Sequence, residues 1–151
     1  MGYAEMLSLA DDAGLTVKEL DLRANDGLIR GRNVAIRRSL RTSREKSCVL
    51  AEEVAHHLVN VGDLTNYNDA NSWKQEQKGR TLAYHILIQP QDIVSAYEAG
   101  CRNRYELAEH LDVTEEFLTD AIERFRQIYG AYFQYGRYII VFEPSFGVIK
   151  L

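Results

Sequence analysis

The most informative segment of the chain is Ser47-Cys48-Val49-Leu50-Ala51-Glu52-Glu53-Val54-Ala55-His56-His57-Leu58-Val59-Asn60. Its apolar positions Leu50, Val54 and Leu58 recur every four residues, which predicts a helix with one side toward a core. Glu52 and His56 are also four residues apart, so we expect them to lie one turn from each other on roughly the opposite side. We call this predicted element the motif helix.

The spacing Glu-Glu-x-x-His is close to the helical zinc-peptidase motif His-Glu-x-x-His, in which both histidines bind zinc and the glutamate is the general base. Glu52 takes the first ligand position, and a carboxylate is an acceptable zinc ligand. With Glu52 and His56 as ligands, Glu53 falls where the base belongs. In the other register, with Glu53 and His57 as ligands, a valine would fall there and could not act. The first register is therefore favoured.

A second interpretation of the same residues needs no metal. A glutamate and a histidine four residues apart on a helix are often only a hydrogen-bonded surface pair. The motif helix alone therefore leaves two alternatives open, a metal site at Glu52 and His56 or an ordinary surface pair.

Composition describes an ordinary soluble chain of 151 residues, with 46% hydrophobic and 26% charged residues. This length predicts one domain, or one domain with a small appendage. No apolar run approaches the roughly 20 residues of a membrane helix, and residues 1–20 do not have the pattern of a signal segment. Cys48 and Cys101 are far apart in sequence. They predict free thiols in a reducing cytoplasm and neither a disulfide framework nor a thiolate metal site.

Charge is unevenly distributed along the chain. Residues 30–46 contain seven arginines and lysines and a single glutamate, although the formal net charge of the chain is −4. A basic segment on an acidic body can attract an acidic peptide or a nucleic acid. The alternative is a solvated hairpin surface without a partner.

The first half of the chain predicts a helix, a small antiparallel sheet and then the motif helix. The segment Asn33–Leu40 is the last of the predicted strands, and as a sheet edge it could pair with an extended substrate. The predicted elements are a helix at 3–13, strands at 16–22, 28–32 and 33–40, a turn at 25–27, and a capping box at 42–45 that opens the motif helix.

The second half predicts helices, a helix-turn-helix-like unit at 104–122 and a terminal β-hairpin at 131–143. Before the helix-turn-helix-like unit, residues 60–72 have a loop composition. Helices are predicted from Trp73 to about Ile88 and from Pro90 to Gly100. In the helix-turn-helix-like unit, the second helix and its lead-in are acidic, because five acids precede Arg124: Asp112, Glu115, Glu116, Asp120 and Glu123. Phosphate would be repelled there. The unit thus favours packing or protein contact over direct DNA binding, which remains the alternative for a regulator.

Taken together, these segments resemble the ImmA/IrrE family of zinc metallopeptidases, in the short form carried by phages and integrated mobile elements. Four pieces carry the resemblance in the family's order. They are Leu50-Ala51-Glu52-Glu53-Val54-Ala55-His56-His57, Lys74-Gln75-Glu76-Gln77-Lys78-Gly79-Arg80-Thr81-Leu82-Ala83-Tyr84, Gly100-Cys101-Arg102-Asn103-Arg104-Tyr105-Glu106-Leu107-Ala108-Glu109 and Tyr138-Ile139-Ile140-Val141-Phe142-Glu143-Pro144.

The resemblance implies an α+β fold with a zincin-like metallopeptidase core at 1–100. Residues 101–151 would then form the helix-turn-helix-like helices and the C-terminal β-hairpin, packed as one unit with the core. It also implies a third metal ligand on the next helix, Glu76, beside Glu52 and His56. Zinc is the expected metal and manganese the alternative, and Glu53 is the expected base that activates the attacking water. The family usually has histidine where this chain has Glu52, so the site is expected to be less selective for zinc.

Four further side chains are candidates for stabilising the oxyanion or supporting the site, and the sequence does not choose among them. They are His57, Tyr67, Tyr84 and His85.

The expected substrate or partner, again from the resemblance, is the helix-turn-helix repressor of the mobile element, which such proteins cleave or sequester to end lysogeny. Arg37 and Arg38 in the basic segment, with Glu115 and Glu116 on the acidic helix, are the predicted contacts. The expected location is the cytoplasm, without membrane contact. The alternatives are a non-proteolytic anti-repressor module with a degenerate metal site and a purely structural protein without metal.

Overall fold

Predicted and observed elements follow the same order in a computed structural model, which describes residues 1–62 and 69–151, with side chains for 1–60 and 73–151. The α+β class is confirmed. The chain divides into two compact units, Met1–Leu87 and Ile88–Leu151. The domain assignment 1–100 and 101–151 stays a prediction. None of the described helices combines the length and the apolar character that a membrane span requires.

The described residues of the first unit form three helices and three strands. They are α1 (Tyr3–Asp12), β1 (Thr16–Leu20), β2 (Gly27–Arg30), β3 (Asn33–Arg37), α2 (Ser43–Gly62) and α3 (Asp69–Leu87). α2 is the motif helix. Its start is fixed as predicted, because the hydroxyl of Thr42 accepts a hydrogen bond from the Glu45 N–H at 3.2 Å.

The sheet of the first unit has the strand order β1-β3-β2, so the strand before the motif helix lies in the centre. β2 and β3 are antiparallel as predicted, but β1 and β3 are parallel. The sheet is therefore mixed and not antiparallel throughout. The prediction that residues 33–40 form a sheet edge was also wrong. The chain turns tightly at Gly31, which has a φ of +59°, and this turn returns β3 into the space between β1 and β2.

Alternate side chains of a strand point to opposite faces of the sheet. On β3, Val34 and Ile36 therefore share one face, and both are buried. Opposite them, Leu50 and Val54 of α2 are also buried, which confirms the first part of the predicted stripe. Leu58, however, is 41% exposed. A helix turns about 100° per residue, so a four-residue spacing drifts, and Leu58 points about 80° away from Leu50.

A glutamate on β1 joins three elements of the first unit. Glu19 accepts hydrogen bonds from the hydroxyl of Tyr3 on α1 at 3.4 Å and from the ammonium of Lys46 on α2 at 2.5 Å. The hydrogen bond from Lys46 is the main cause that lowers the pKa of Glu19 below its usual value. This contact helps to hold α2 against the sheet.

The second unit contains α4 (Pro90–Glu98), α5 (Arg104–Leu111), α6 (Glu115–Tyr129), β4 (Tyr132–Tyr135), β5 (Tyr138–Val141) and β6 (Gly147–Lys150). Caps begin both helices of the helix-turn-helix-like unit, since Asn103 accepts from the Glu106 N–H and Thr114 from the Phe117 N–H. The predicted hairpin of β4 and β5 is present. The structure adds β6, which pairs antiparallel with β5 and makes a three-stranded sheet.

Candidate metal and catalytic site

The candidate site lies between α2 and α3, within the first unit. α2 supplies Glu52, Glu53 and His56, while α3 supplies Glu76 and Gly79. The predicted loop at 60–72 was partly wrong, since α2 continues to Gly62 and α3 already begins at Asp69. α2 and α3 pack against each other.

His56 and Glu76, which the family resemblance implied as partners, lie close together. The Nε2 atom of His56 lies 3.2 Å from Oε2 of Glu76. This nitrogen is buried and has no hydrogen-bond partner among the described residues, so its distance to Glu76 does not correspond to an aligned hydrogen bond. A buried polar atom without a partner is costly and calls for an explanation. An imidazole nitrogen facing a carboxylate oxygen fits a divalent cation, which takes both as ligands.

Arg80 holds the other oxygen of the Glu76 carboxylate. Its Nε atom donates to Oε1 of Glu76 at 3.1 Å, one helical turn further along α3. Carboxylates that bind metals are commonly oriented by such outer hydrogen bonds. Arg80 was not among the predicted site residues, although its spacing of four residues from Glu76 was a visible signal.

Gly79 gives the His56 ring its space. A Cβ atom built on Gly79 would lie 2.0 Å from Cδ2 and 2.8 Å from Nε2 of His56. No side chain larger than hydrogen fits while the ring keeps this position. Glycine within a helix costs up to about 1 kcal/mol of stability relative to alanine. The position of the His56 ring explains why α3 nevertheless has a glycine here.

Glu53 lies against the edge strand β2. A Cβ atom on Gly27 would be 3.0 Å from Oε1 and 3.1 Å from Cγ of Glu53. Burial, followed by the negative charges of Glu52 and Glu76, raises the pKa of Glu53 to about 7. A carboxyl group that titrates near neutral pH can both take and return a proton, which suits a general base. Gly27 was predicted from the sequence only as part of a turn, and its contact with Glu53 depends on how β2 packs against α2.

Glu52 is half-buried, and its negative charge is, after burial, the second cause that raises the pKa of Glu53. Yet the described part of the chain holds no group of three His, Cys, Asp or Glu residues placed to bind a metal ion. His56 and Glu76 thus fit a cation as a pair, and Glu52 as the third ligand stays a prediction.

Because the pKa of Glu53 is raised, its carboxyl should destabilise the metal-free protein as pH rises. The folded state keeps this proton up to about pH 7, whereas the unfolded chain releases it near the ordinary value of 4.5. Stability is therefore lost between these two values and the loss is complete above pH 7. We expect Glu53→Gln, which removes this titration, to raise the free energy of unfolding by about 2 kcal/mol more at pH 8 than at pH 4, less than the full shift because the group is partly exposed.

Urea unfolding in the presence of a chelator would measure this difference at both pH values. Glu45→Gln, which removes a half-buried glutamate from the first turn of the same helix, is the matched control. A stability gain from Glu53→Gln that is the same at both pH values would contradict the assigned environment of Glu53.

The four candidates for oxyanion stabilisation remain untested. Nδ1 of His85 lies 2.9 Å from the Thr81 carbonyl oxygen of its own helix, and Tyr84 is buried. His57 is half-buried on α2. Tyr67 lies outside the described residues. The positions of His57, Tyr84 and His85 do not assign a role at the site to any of them.

The predicted partner contacts have different surroundings. Arg37 contacts Asp26 at 3.3 Å and Arg38 contacts Asp21 at 3.6 Å, so both arginines hold the connection between β1 and β2. Glu115 and Glu116 are exposed in the first turn of α6, in the second unit.

Most of the chain matches a known protein family. The family described as IrrE N-terminal-like domain, a peptidase family, has a model that matches residues 10–123, well over half of the chain. The chain belongs to this family. The ImmA/IrrE resemblance seen in the sequence is thereby confirmed, together with a metallopeptidase type of function and the general use of a metal ion. No curated protein matches the chain.

Proposed function

We propose that this ImmA/IrrE family member is a metal-dependent endopeptidase of a phage or mobile element, acting in the cytoplasm, that inactivates a helix-turn-helix repressor by cleaving it. The observation that carries the proposal is the buried Nε2 of His56, without a hydrogen-bond partner among the described residues and 3.2 Å from Glu76. Glu53, with a pKa of about 7, lies on the same helix three residues before His56.

Glu52, His56 and Glu76 are the proposed ligands, with zinc as the first candidate and manganese as the second. When bound, the ion would polarise the carbonyl of the scissile peptide bond. Two carboxylates and one imidazole form a harder and more anionic set than the common ligands of catalytic zinc, which supports manganese as the alternative.

Glu53 is the proposed base. It takes a proton from the attacking water as the water oxygen bonds to the carbonyl carbon. The same carboxyl then returns this proton to the leaving amine as the C–N bond breaks. Its pKa of about 7 supports both directions of transfer near neutral pH.

The edge strand β2 is the proposed place for the substrate backbone. In the described part of the chain β2 pairs with β3 alone, and its residue Gly27 lies against Glu53. An extended peptide that adds to this edge gains main-chain hydrogen bonds and passes close to the base. β2 thus replaces residues 33–40 as the proposed edge for the substrate, because β3 lies in the centre of the sheet.

The exposed Glu115 and Glu116 are the favoured contacts for a repressor, because its DNA-binding surface is basic. Arg37 and Arg38 are weaker candidates, since each is already paired with an aspartate of its own unit. His57, Tyr67, Tyr84 and His85 remain candidates for stabilising the oxyanion.

One observation favours a second function, a non-proteolytic anti-repressor that binds its target through a degenerate site. Within residues 1–60 and 73–151, no three potential ligands are placed to hold a metal. In that case the zincin-like fold would serve as a binding module, and the repressor would be sequestered intact.

Metal analysis of three purified proteins tests the proposed site. We expect about one equivalent of zinc or manganese in the wild type and in His57→Ala, and none in His56→Ala, because only the first of the two neighbouring histidines faces Glu76. Elemental mass spectrometry after dialysis against trace mixed metals would measure this. Metal loss in His57→Ala with retention in His56→Ala would establish the other register, and absence of metal from the wild type would favour the binding module.

A further inference from the structure

A cavity of about 360 Å³ lies in the second unit, and none of the residues proposed for the peptidase reaction lines it. Its walls come from α4, the start of α5, and the loop that joins β5 to β6. The residues that line it are Ile93, Tyr97, Cys101, Arg102, Asn103, Arg104, Leu107, Pro144, Ser145, Phe146, Gly147 and Val148.

Four apolar side chains line part of the cavity. Ile93 and Leu107 are buried, while Phe146 and Val148 are half-buried and face the same space. The volume is near the lower end of the range for small-molecule sites, which is about 300–1,000 Å³. The cavity therefore suits the body of a small aromatic or branched molecule.

The rim of the cavity is positively charged. Arg102 and Arg104 both line it, and no aspartate or glutamate belongs to its described lining. The guanidinium of Arg102 has no ion pair within the described residues. Arg104 donates to the Thr119 hydroxyl at 3.1 Å through one nitrogen, Nη1. The other N–H groups of its guanidinium can then donate to a ligand. Two arginines beside these apolar side chains favour an anionic group on the ligand.

Contacts within the second unit hold the walls together. Glu98 at the end of α4 accepts a hydrogen bond from the hydroxyl of Tyr138 on β5 and lies 3.8 Å from Nζ of Lys150 on β6. Asn103 caps α5 by accepting the Glu106 N–H at 2.8 Å, which fixes the backbone between the two arginines. The cavity is therefore formed before any ligand binds.

We propose that this cavity is a binding site for a small organic anion, a carboxylate or phosphate monoester carried on an aromatic or branched apolar group. The apolar body lies against Ile93, Leu107 and Val148, and the anionic group pairs with Arg102 and Arg104. The loop and strand that complete the cavity, residues 144–148, lie beyond the segment that matches the family, residues 10–123. Both arginines lie within that segment, but none of the residues proposed for the peptidase reaction lines the cavity.

Amide chemical shifts of the full-length protein would test the site in a titration with four probes. Phenylacetate and phenyl phosphate carry both features, phenylacetamide lacks the charge, and inorganic phosphate lacks the apolar body. We expect at least one of the first two to shift the amides of Leu107, Gly147 and Val148 saturably, with an affinity at least about tenfold above both single-feature probes. Whichever of the two binds more tightly identifies the anionic group.

The double variant Arg102→Gln with Arg104→Gln should weaken this binding by at least about tenfold, and Arg137→Gln, an exposed arginine of the same unit that does not line the cavity, should leave it unchanged. The proposal is overturned if neither anion shifts these amides saturably up to about 10 mM, a concentration that would detect even weak binding. Equal binding of phenylacetamide, or binding that survives the double substitution, would overturn it as well.

Discussion

Replacing Glu53 with glutamine is expected to slow repressor cleavage by about 10²- to 10⁴-fold while metal content stays at the wild-type level. Glutamine keeps the shape of the side chain and its contact with Gly27, but it cannot take a proton from water. Glu53 is not one of the proposed ligands, so binding of the ion should persist. The measurement is intact-mass analysis of the proposed substrate, the helix-turn-helix repressor of the same mobile element, during incubation with the wild type and with Glu53→Gln. Elemental analysis of the two proteins gives their metal content.

Glu45→Gln serves as the matched control, because it removes a carboxylate from the same helix away from His56 and Glu76. Its cleavage rate should remain within a few-fold of the wild type, as expected for a change that touches no reacting atom. Cleavage at the wild-type rate by Glu53→Gln would remove Glu53 from the mechanism. If the wild type binds the repressor and never cuts it, the non-proteolytic binding module becomes the better account.

Local features of this site could be predicted from the sequence, because they depend on spacing along one helix. The start of α2 at Thr42 and the burial of Val34, Ile36, Leu50 and Val54 follow from caps and periodicity. The contact between His56 and Glu76 could be predicted only from the family resemblance. Nothing in the spacing of residues on α2 identifies a partner on α3.

Features that depend on contacts between distant segments could not be predicted in this way. Strand order is one, because the sequence of β3 fits an edge strand and a central strand equally well, and only pairing with both β1 and β2 places it in the centre. The raised pKa of Glu53 is another, since it results from burial beneath β2 and from the charges of Glu52 and Glu76. The edge strand beside Glu53 and the environment of Glu53 were therefore both found from the structure.

Gly79→Ala is expected to weaken metal binding by about 100-fold or more, because the added methyl group and the His56 ring cannot occupy the same space. The Cβ atom would lie 2.0 Å from Cδ2 of the ring, whereas carbon atoms in contact are about 3.5–4 Å apart. The ring must rotate, and Nε2 then leaves its place beside Glu76. Displacing even the outer contacts of a metal ligand costs about 10- to 100-fold in affinity, and displacing the ligand itself should cost at least as much. Calorimetric titration with zinc and manganese would measure the loss, and Lys78→Ala, at an exposed position of the same helix, should bind as the wild type does.

The same substitution also tests the geometry without any metal. In the wild-type background, Gly79→Ala should lower the free energy of unfolding by about 1–3 kcal/mol, as overpacking of a buried site does. In the His56→Ala background the obstructing ring is absent, and alanine should then stabilise the protein by up to about 1 kcal/mol because it is the better helix former. Urea unfolding of the four proteins with a chelator present gives this double-mutant cycle. A change of sign between the two backgrounds establishes that the His56 ring lies over Gly79, which is the arrangement that brings Nε2 to Glu76. The same destabilisation in both backgrounds would mean that another group obstructs the methyl, and the His56–Glu76 pair would lose its structural support.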